Sequence, residues 1–170
     1  MSDELRGRAL KVGDNIDTDV IIPARHCVTL DTRELAAHCM EDLDPRFLEK
    51  RKPGDFVVAG TNFGSGSSRE QAPLAIKGAE LGGVIAASFA RIFFRNAINV
   101  GLPLFESPAA AAGIEDGDEI EVLANEGLIV NHTQECEYPV AKYPPAIQEI
   151  MKAGGMVDYV KGRLDRSVPR

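Results

Sequence analysis

Residues 60–73 read Gly-Thr-Asn-Phe-Gly-Ser-Gly-Ser-Ser-Arg-Glu-Gln-Ala-Pro, and this stretch decides the fold. It follows a short apolar run, residues 56–59, that is typical of a buried strand. It leads into a pattern that predicts a helix over residues 68–81, with Ser67 or Ser68 as the capping residue. The glycines and serines therefore form a turn from the end of a strand to the start of a helix.

A turn in this position has the chemistry of an anion-binding site. Backbone N–H groups there have no helical partner, and the helix dipole adds partial positive charge. Gly64 and Gly66 allow a left-handed backbone, and Arg69 can hold a carboxylate bidentately. Ser67 and Ser68 add hydroxyls, and a serine surrounded by such donors can act as a base because its alkoxide is stabilised. The same pattern is also that of a simple helix cap, and the local residues leave both interpretations open.

Strands and helices alternate outward from this turn, which predicts an α/β fold with a partly parallel sheet. A hairpin near the C-terminus adds antiparallel strands to it. The predicted strands are residues 6–12, 56–59, 84–87, 102–105, 119–124 and 128–131. The predicted helices are residues 32–40, capped by Asp31 or Thr32, and residues 68–81, 89–100 and 146–153.

Length and charge limit the functional class. The chain has 170 residues, 19 of them Lys or Arg and 26 Asp or Glu, for a net charge of −7. We expect a single domain over residues 1–160 and a basic tail over residues 161–170. The acidic body argues against binding nucleic acid or an anionic membrane. The glycine-rich turn lacks the third glycine of a dinucleotide motif and the Gly-Lys-Ser/Thr of a P-loop.

The cysteines and the apolar runs bear on cofactors and location. Cys27, Cys39 and Cys136 form no Cys-x-x-Cys pair and are odd in number, so we expect no disulfide framework and no metal or iron–sulfur site held by this chain alone. The N-terminus lacks a signal-peptide pattern. The longest apolar run, residues 81–90, is half of the roughly 20 residues that a membrane span needs. A cytoplasmic protein without a membrane partner is expected.

Three segments carry a family resemblance that covers nearly the whole chain. They are residues 13–25, Gly-Asp-Asn-Ile-Asp-Thr-Asp-Val-Ile-Ile-Pro-Ala-Arg, residues 60–72 of the stretch above, and residues 88–103, Ser-Phe-Ala-Arg-Ile-Phe-Phe-Arg-Asn-Ala-Ile-Asn-Val-Gly-Leu-Pro. Together they resemble the swivelling domain of the aconitase family, in particular its free-standing small subunits of the 3-isopropylmalate dehydratase type. The resemblance implies a three-layer β/β/α fold with a mixed, partly parallel sheet.

The resemblance also implies an activity and a partner. Members of the family are hydro-lyases, and this type interconverts 2-isopropylmalate and 3-isopropylmalate by dehydration and rehydration, in leucine biosynthesis. The small subunit acts only with a large subunit, in a heterodimer or heterotetramer, and the large subunit carries a 4Fe–4S cluster on three cysteines. This chain itself would bind no cofactor. Its substrate would be a small dicarboxylate at the junction of the two subunits.

The resemblance assigns roles to particular residues. Ser67 matches the family's base, which removes the proton alpha to a carboxylate. Ser68 and Arg69 would bind the substrate carboxylate beside Gly66, and Arg69 would also help to ionise Ser67. The pair Thr18-Asp19 matches a Thr-Asp of the first family segment, which places Asp19 in the active site and Thr18 beside the substrate.

The residues after Pro23-Ala24-Arg25, His26-Cys27-Val28-Thr29, match the family's substrate-selecting loop. Val28 stands where relatives of the homoaconitase type carry an arginine, and it favours a substrate with an apolar branch. His26 and Thr29 replace the usual aromatic residues. The identity of the substrate therefore stays open between isopropylmalate, the methylmalate/citraconate pair, 2,3-dimethylmalate and the homoaconitase substrates. Arg25 would bind a distal carboxylate of the substrate, or it would instead stabilise the structure of the loop.

Two further predictions complete the sequence analysis. His38 and His132 show no ligand spacing and are predicted to be structural. A function of a different class stays open as well: a non-catalytic module that binds anions or regulates a partner.

Overall fold

The computed structural model describes residues 4–167 and contains a seven-stranded mixed sheet. The strand order is β4-β3-β2-β1-β5-β6-β7. Strands β1 to β4 are parallel to one another, and β5, β6 and β7 continue from β1 in antiparallel pairs. The strands are β1 (Glu4–Lys11), β2 (Phe56–Ala59), β3 (Gly83–Ala86), β4 (Leu104–Glu106), β5 (Glu119–Leu123), β6 (Leu128–Asn131) and β7 (Cys136–Pro139).

Helices connect the parallel strands and follow the hairpin. They are α1 (Thr18–Ile21), α2 (Thr32–Ala36), α3 (Phe47–Lys50), α4 (Gln71–Gly78), α5 (Arg91–Val100), α6 (Pro108–Gly113), α7 (Pro145–Ala153) and α8 (Met156–Ser167). A single 3-10 turn, Ala24–His26, lies between α1 and α2. The predicted helix over 32–40 is shorter than expected, ending at Ala36, but Asp31 caps it as predicted by accepting from Arg33 N and Glu34 N.

The two faces of the parallel strands bury different partners, which produces three layers. Val57, Ala59 and Val84 pack with residues of α4 and α5 in one core. Phe56, Val58 and Ile85 point the other way and share a second core with residues of β5, β6 and α6. Because β5 and β6 are not the strand neighbours of β3, the antiparallel half must fold over the parallel half. The predicted β/β/α architecture is confirmed.

The parallel arrangement brings the three family segments to one edge. The chain leaves β1, β2 and β3 in the same direction, so residues 12–19, 60–70 and 87–90 meet beyond the carboxyl ends of these strands. Backbone hydrogen bonds join them: Gly64 N donates to Ile16 O at 2.7 Å, and Phe63 N donates to Ser88 O at 3.0 Å. This edge is the position of the candidate site.

One predicted boundary near the site is wrong. The helix expected over 68–81 is α4, which begins at Gln71, and neither Ser67 nor Ser68 caps it. Pro73 explains the difference. In a helix capped by Ser68, Pro73 would stand at the fifth helical position, where a backbone N–H must donate to the carbonyl of Arg69. In α4 it stands in the first turn, where no such donor is needed.

The C-terminal helix crosses the boundary proposed between domain and tail. Helix α8 runs without interruption from Met156 past position 160, so residues 161–167 are helical. The assignment of 161–170 as a separate tail stays a prediction, with residues 168–170 outside the described part of the chain. Within residues 4–167, no helix is both long and apolar enough to cross a membrane.

Candidate active site

Two left-handed glycines shape the turn at the end of β2. Gly64 has φ of +78° and Gly66 has φ of +91°. A Cβ on Gly64 would lie 2.1 Å from Cγ of Phe93, a buried residue of α5. Only glycine therefore fits at position 64, and the turn is held tightly against the start of α5.

The loop after β1 supports the turn from the other side. Asp17 caps α1 by accepting from Asp19 N at 2.8 Å and Val20 N at 2.9 Å. Thr18 is buried, and its hydroxyl donates to Ser67 O at 3.1 Å while its N–H donates to Ser65 O at 2.8 Å. Thr18 thus fixes the backbone of the serine turn, while the substrate contact that the resemblance implied for it stays a prediction.

Asp19 and Arg69 form an ion pair across the two segments, although they are fifty residues apart. Arg69 Nη1 donates to Asp19 Oδ1. This hydrogen bond raises the pKa of the Arg69 guanidinium above its ordinary value, so the group stays charged. The Arg69 side chain is 21% exposed and that of Asp19 56%, so the pair lies at the surface of the cleft and not in the core.

Ser67 and Ser68 stand beside this pair with their hydroxyls exposed. Among residues 4–167, no group forms a hydrogen bond with either hydroxyl, and the N–H groups of residues 66–68 have no backbone acceptor. Because α4 begins only at Gln71, capping does not consume these donors. Hydroxyls, backbone N–H groups and a charged guanidinium on one exposed turn can together bind a carboxylate and stabilise an alkoxide.

The residues of the predicted selecting loop lie in different surroundings. Arg25 donates to Glu41 Oε1 at 2.5 Å and to Asp42 Oδ1 at 2.7 Å, and His26 Nε2 lies 2.7 Å from the same Glu41 oxygen. Two polar groups that could have met substrate are thus bound to this chain's own carboxylates. Their contacts favour the structural alternative for Arg25, while its role toward substrate stays a prediction.

Val28 and Thr29 complete that loop. Val28 is 91% exposed, an unusual position for a valine in a folded chain, whereas Thr29 Oγ1 accepts from Asp31 N at 3.0 Å. Gln71 Nε2 donates to Cys27 O at 3.5 Å, which links the loop to the first turn of α4. The structure therefore brings together Asp19, Gly66, Ser67, Ser68 and Arg69, with Thr18 beneath them, whereas Arg25 and His26 are bound to Glu41.

The geometry agrees with the comparisons to known proteins. Residues 13–108 match the model of the aconitase C-terminal domain family. The 3-isopropylmalate dehydratase small subunit of Moorella thermoacetica is 56% identical over 164 residues, 96% of this chain and 99% of that protein. This chain belongs to the family of 3-isopropylmalate dehydratase small subunits. The family resemblance drawn from the three segments is confirmed.

Two other family members show the same near-complete coverage. The small subunit of Aquifex aeolicus is 56% identical over 165 residues, 96% of this chain and 98% of that protein. A crystal structure of the 3-isopropylmalate dehydratase from Methanocaldococcus jannaschii superposes with a TM-score of 0.90 at 47% identity. It covers 96% of this chain and 98% of that one. Fold and family are therefore shared over the whole length.

The cysteines of this family member are unsuited to hold an iron–sulfur cluster. Cys39 is fully buried in the core, and burial raises its thiol pKa to about 12, which disfavours the thiolate that ligates iron. Cys27 lies in the loop after the 3-10 turn, and Cys136 lies on β7, where its thiol contacts Tyr138 at 3.2 Å. All three are free thiols in separate surroundings.

Sequence reasoning missed three residues that shape these surroundings. Glu41, Asp42 and Gln71 hold the selecting loop, and none of them was predicted to do so. Glu41 follows His38 by three residues, a spacing that brings side chains together on a helical turn. That spacing was the available signal for Glu41, whereas the contact with His26 depends on how the chain folds back.

Proposed function

We propose that this chain is the small subunit of a 3-isopropylmalate dehydratase, a hydro-lyase that works only with a large subunit. One observation carries the proposal: the Asp19–Arg69 pair stands beside two hydroxyls that have no hydrogen-bond partner among residues 4–167, on a turn where the N–H groups of residues 66–68 likewise have no acceptor within that range. A dicarboxylate needs a local positive site in a chain of net charge −7, and this turn supplies it.

In this proposal Ser67 is the base. Its alkoxide takes the proton alpha to a substrate carboxylate and becomes the neutral hydroxyl, and it returns that proton in the reverse direction. Arg69 and the N–H groups of the turn stabilise the alkoxide and bind a carboxylate together with Ser68. Asp19 orients Arg69 through their hydrogen bond, and Thr18 fixes the turn from beneath.

The partner supplies what this chain lacks. The family resemblance implies a 4Fe–4S cluster on the large subunit, with the two chains in a heterodimer or heterotetramer and the substrate between them. The separate surroundings of the three cysteines support that division of labour. We place the enzyme in the cytoplasm, where three free thiols are stable, with neither nucleic acid nor membrane as a partner.

The substrate is proposed to carry an apolar branch. Val28 is the apolar side chain of the selecting loop that is left almost fully exposed, ready to be covered by substrate or by the large subunit. Isopropylmalate, whose branch is apolar, fits this expectation best. Methylmalate and 2,3-dimethylmalate remain the nearest alternatives, because one small apolar contact discriminates by only about 1–3 kcal/mol.

Reconstitution tests the proposal. The chain is combined with its large subunit under anaerobic conditions with iron and sulfide, and dehydration of isopropylmalate, methylmalate and dimethylmalate is measured. We expect turnover with isopropylmalate, at least 10²-fold lower kcat in Ser67→Ala because the base is lost, and assembly unchanged. Ser65→Ala is the matched control, since its hydroxyl lies in the same turn but has no assigned role, and it should retain activity.

Two results would count against the proposal. An assembled wild-type complex that dehydrates no substituted malate would leave only the non-catalytic anion-binding alternative. Turnover in Ser67→Ala equal to that of Ser65→Ala would remove Ser67 as the base.

A second experiment addresses selection by the loop. Val28→Arg places a cation where an apolar branch is expected, so kcat/KM for isopropylmalate should fall and that for a substrate with an added carboxylate should rise. Leu30→Arg, at another exposed apolar position just beyond the loop, is the control and should change the ratio far less. An unchanged ratio in Val28→Arg would show that the loop does not select.

A further inference from the structure

His26, His38 and Glu41 form a compact cluster that contains no residue of the serine turn, and we term it the His–Glu cluster. His26 Nε2 lies 2.7 Å from Glu41 Oε1, and His38 Nδ1 lies 2.7 Å from Glu41 Oε2. The potential ligand atoms of the three residues all lie within 4.8 Å of one another. No other group of three His, Cys, Asp or Glu side chains in residues 4–167 is this close.

The donor set of the cluster is that of a transition-metal site. Two imidazole nitrogens and one carboxylate oxygen are the ligands of His₂Glu zinc sites, which bind Zn²⁺ at about 2.0–2.2 Å and leave a fourth position for water. The cluster is accessible for an ion, since the His26, His38 and Glu41 side chains are 24%, 39% and 26% exposed. It borders a pocket of about 380 Å³ lined in part by Val28 and Ala37, which gives room for the fourth ligand.

The charges around the cluster favour a cation. Glu41 and Asp42 supply two carboxylates, and Arg25 is the basic side chain bonded to them. Within this group the carboxylates outnumber the guanidinium, so a dication entering between the histidines meets net negative charge. Hydrogen bonds from Arg25 would continue to orient the glutamate, the outer contact that metal-binding carboxylates commonly have.

Binding requires one local change. The His26 and His38 rings are stacked, with centroids 3.5 Å apart and planes within 5° of parallel. A metal lies in the plane of each imidazole that binds it, so two parallel rings at this separation cannot share one ion. At least one ring must turn about its terminal torsion, which is broad for histidine and hence cheap.

We propose that His26, His38 and Glu41 bind one Zn²⁺ ion, which clamps the 3-10 turn Ala24–His26 onto the segment that follows α2. The ion displaces the two histidine–glutamate hydrogen bonds and completes its shell with water from the adjoining pocket. The clamped turn leads directly into Val28, so the ion fixes the start of the predicted selecting loop. The site is independent of the serine turn and of the role proposed for Ser67.

Titration of the tag-free full-length chain with ZnSO₄ tests the proposal. At pH 7.5, where imidazole binds metal in its neutral form, calorimetry should show one site with a Kd of about 10 µM or tighter. His26→Gln, His38→Gln and Glu41→Gln should each weaken binding by at least about 10-fold. Glu41→Gln retains the shape and a hydrogen-bond acceptor, so it remains informative if a histidine variant folds poorly.

The chain offers two matched controls. His132, the third histidine, lies 2.8 Å from Glu121 without a second histidine, so His132→Gln removes a histidine–carboxylate pair but leaves the cluster intact. Cys27→Ser removes the thiol that follows His26. Both controls should bind Zn²⁺ as the wild type does, and Co²⁺ in place of Zn²⁺ should give visible absorption bands that only the cluster variants lose.

Three results would overturn the site. They are the absence of saturable 1:1 binding to the wild type, equal weakening in His132→Gln and His26→Gln, and loss of binding in Cys27→Ser. A rise in Tm with Zn²⁺ that is reversed by a chelator, and absent in the cluster variants, would support it because a ligand stabilises the state that binds it.

Discussion

Gly64 is the residue on which the geometry of the serine turn depends. Its φ of +78° disfavours any side chain, and an added Cβ would lie 2.1 Å from Phe93 Cγ and 2.4 Å from Phe93 Cβ. We predict that Gly64→Ala lowers the free energy of unfolding by about 3 kcal/mol, combining overpacking with the cost of a left-handed backbone. Urea denaturation measures this change in the free energy of unfolding.

Gly13→Ala is the control for that substitution. Nothing lies within 4 Å of a Cβ built on Gly13, and its φ is not positive, so its stability should change by less than about 1 kcal/mol. Equal losses in the two variants would mean that the contact with Phe93 does not constrain the turn.

Asp118 makes stability depend on pH. It is buried, which alone would raise its pKa, but hydrogen bonds from Glu115 N, Asn131 Nδ2 and Gln134 Nε2 outweigh burial and hold the pKa below its ordinary value. Because the pKa of Asp118 is lower in the folded than in the unfolded chain, its ionised carboxylate stabilises the fold at pH values above the unfolded-state pKa of about 3.9. This stabilisation is lost as the pH falls through the pKa of the folded state.

The variant Asp118→Asn should reveal this dependence. At pH 7 its free energy of unfolding should be about 1–3 kcal/mol lower than that of the wild type, and this difference should shrink toward pH 3. Asp165→Asn, at an exposed position of α8, should show no such difference. A gap between Asp118→Asn and wild type that is equal at pH 7 and pH 3 would contradict the assignment.

At the residue scale, the sequence predicted which chemical groups form the site better than it predicted the contacts between them. The family resemblance placed Asp19 and Arg69 at one site, and the structure supplies the physical reason, because their segments follow parallel strands whose carboxyl ends share an edge. Their direct ion pair was not predicted, since it depends on side-chain directions that no periodicity encodes. The stacking of His26 on His38 was missed for the same reason, and His38 was interpreted as merely structural.

Among the elements, α4, α5 and α7 are joined by one lysine. Lys77, in the last turn of α4, donates to Val100 O at 2.7 Å and to Gly154 O at 2.8 Å, the carbonyls at the ends of α5 and α7. A cation at two helix C-termini satisfies unpaired carbonyls and complements their dipoles.

Lys77→Met should keep the aliphatic stem and leave both carbonyls without this donor. We predict a loss of about 1–3 kcal/mol in the free energy of unfolding, measured by urea denaturation. Lys161→Met, on the exposed surface of α8, is the control and should be neutral. A neutral Lys77→Met would show that water replaces the ammonium at both helix ends.

The elements were predictable where apolar runs are short and bounded, as at β2 and β6. The start of α4 was predicted wrongly. Serine and glutamate at capping distance suggested a start before Gln71, whereas Pro73 fits only in the first turn of the helix and therefore indicates the later start. This later start leaves the hydroxyls of Ser67 and Ser68 outside the helix cap, as the roles proposed for them require.

At the scale of the whole molecule, the two cores have different relations to the site. The core between sheet and helices contains Phe63 and Phe93, which lie directly under the serine turn. The core between the two halves of the sheet contains Ile120 and Ile129 of β5 and β6, strands that do not lead into the site segments. Substitutions in the first core should therefore affect activity and stability together, whereas those at Ile120 and Ile129 should affect stability alone.

Residues 161–165, the part of the C-terminal segment whose side chains the structure describes, belong to neither core. Residues 161 and 163–165 are exposed, among them Leu164 at 59%, so their removal uncovers little apolar surface. Deletion of residues 161–170 should lower the free energy of unfolding by no more than about 1 kcal/mol and leave one cooperative transition, as expected if residues 1–160 are the domain. Deletion from residue 156, which removes all of α8 with the Tyr159–Glu149 hydrogen bond, should cost clearly more. Equal losses in the two deletions, or a loss above about 2 kcal/mol in the shorter one, would place the basic segment inside the folded domain.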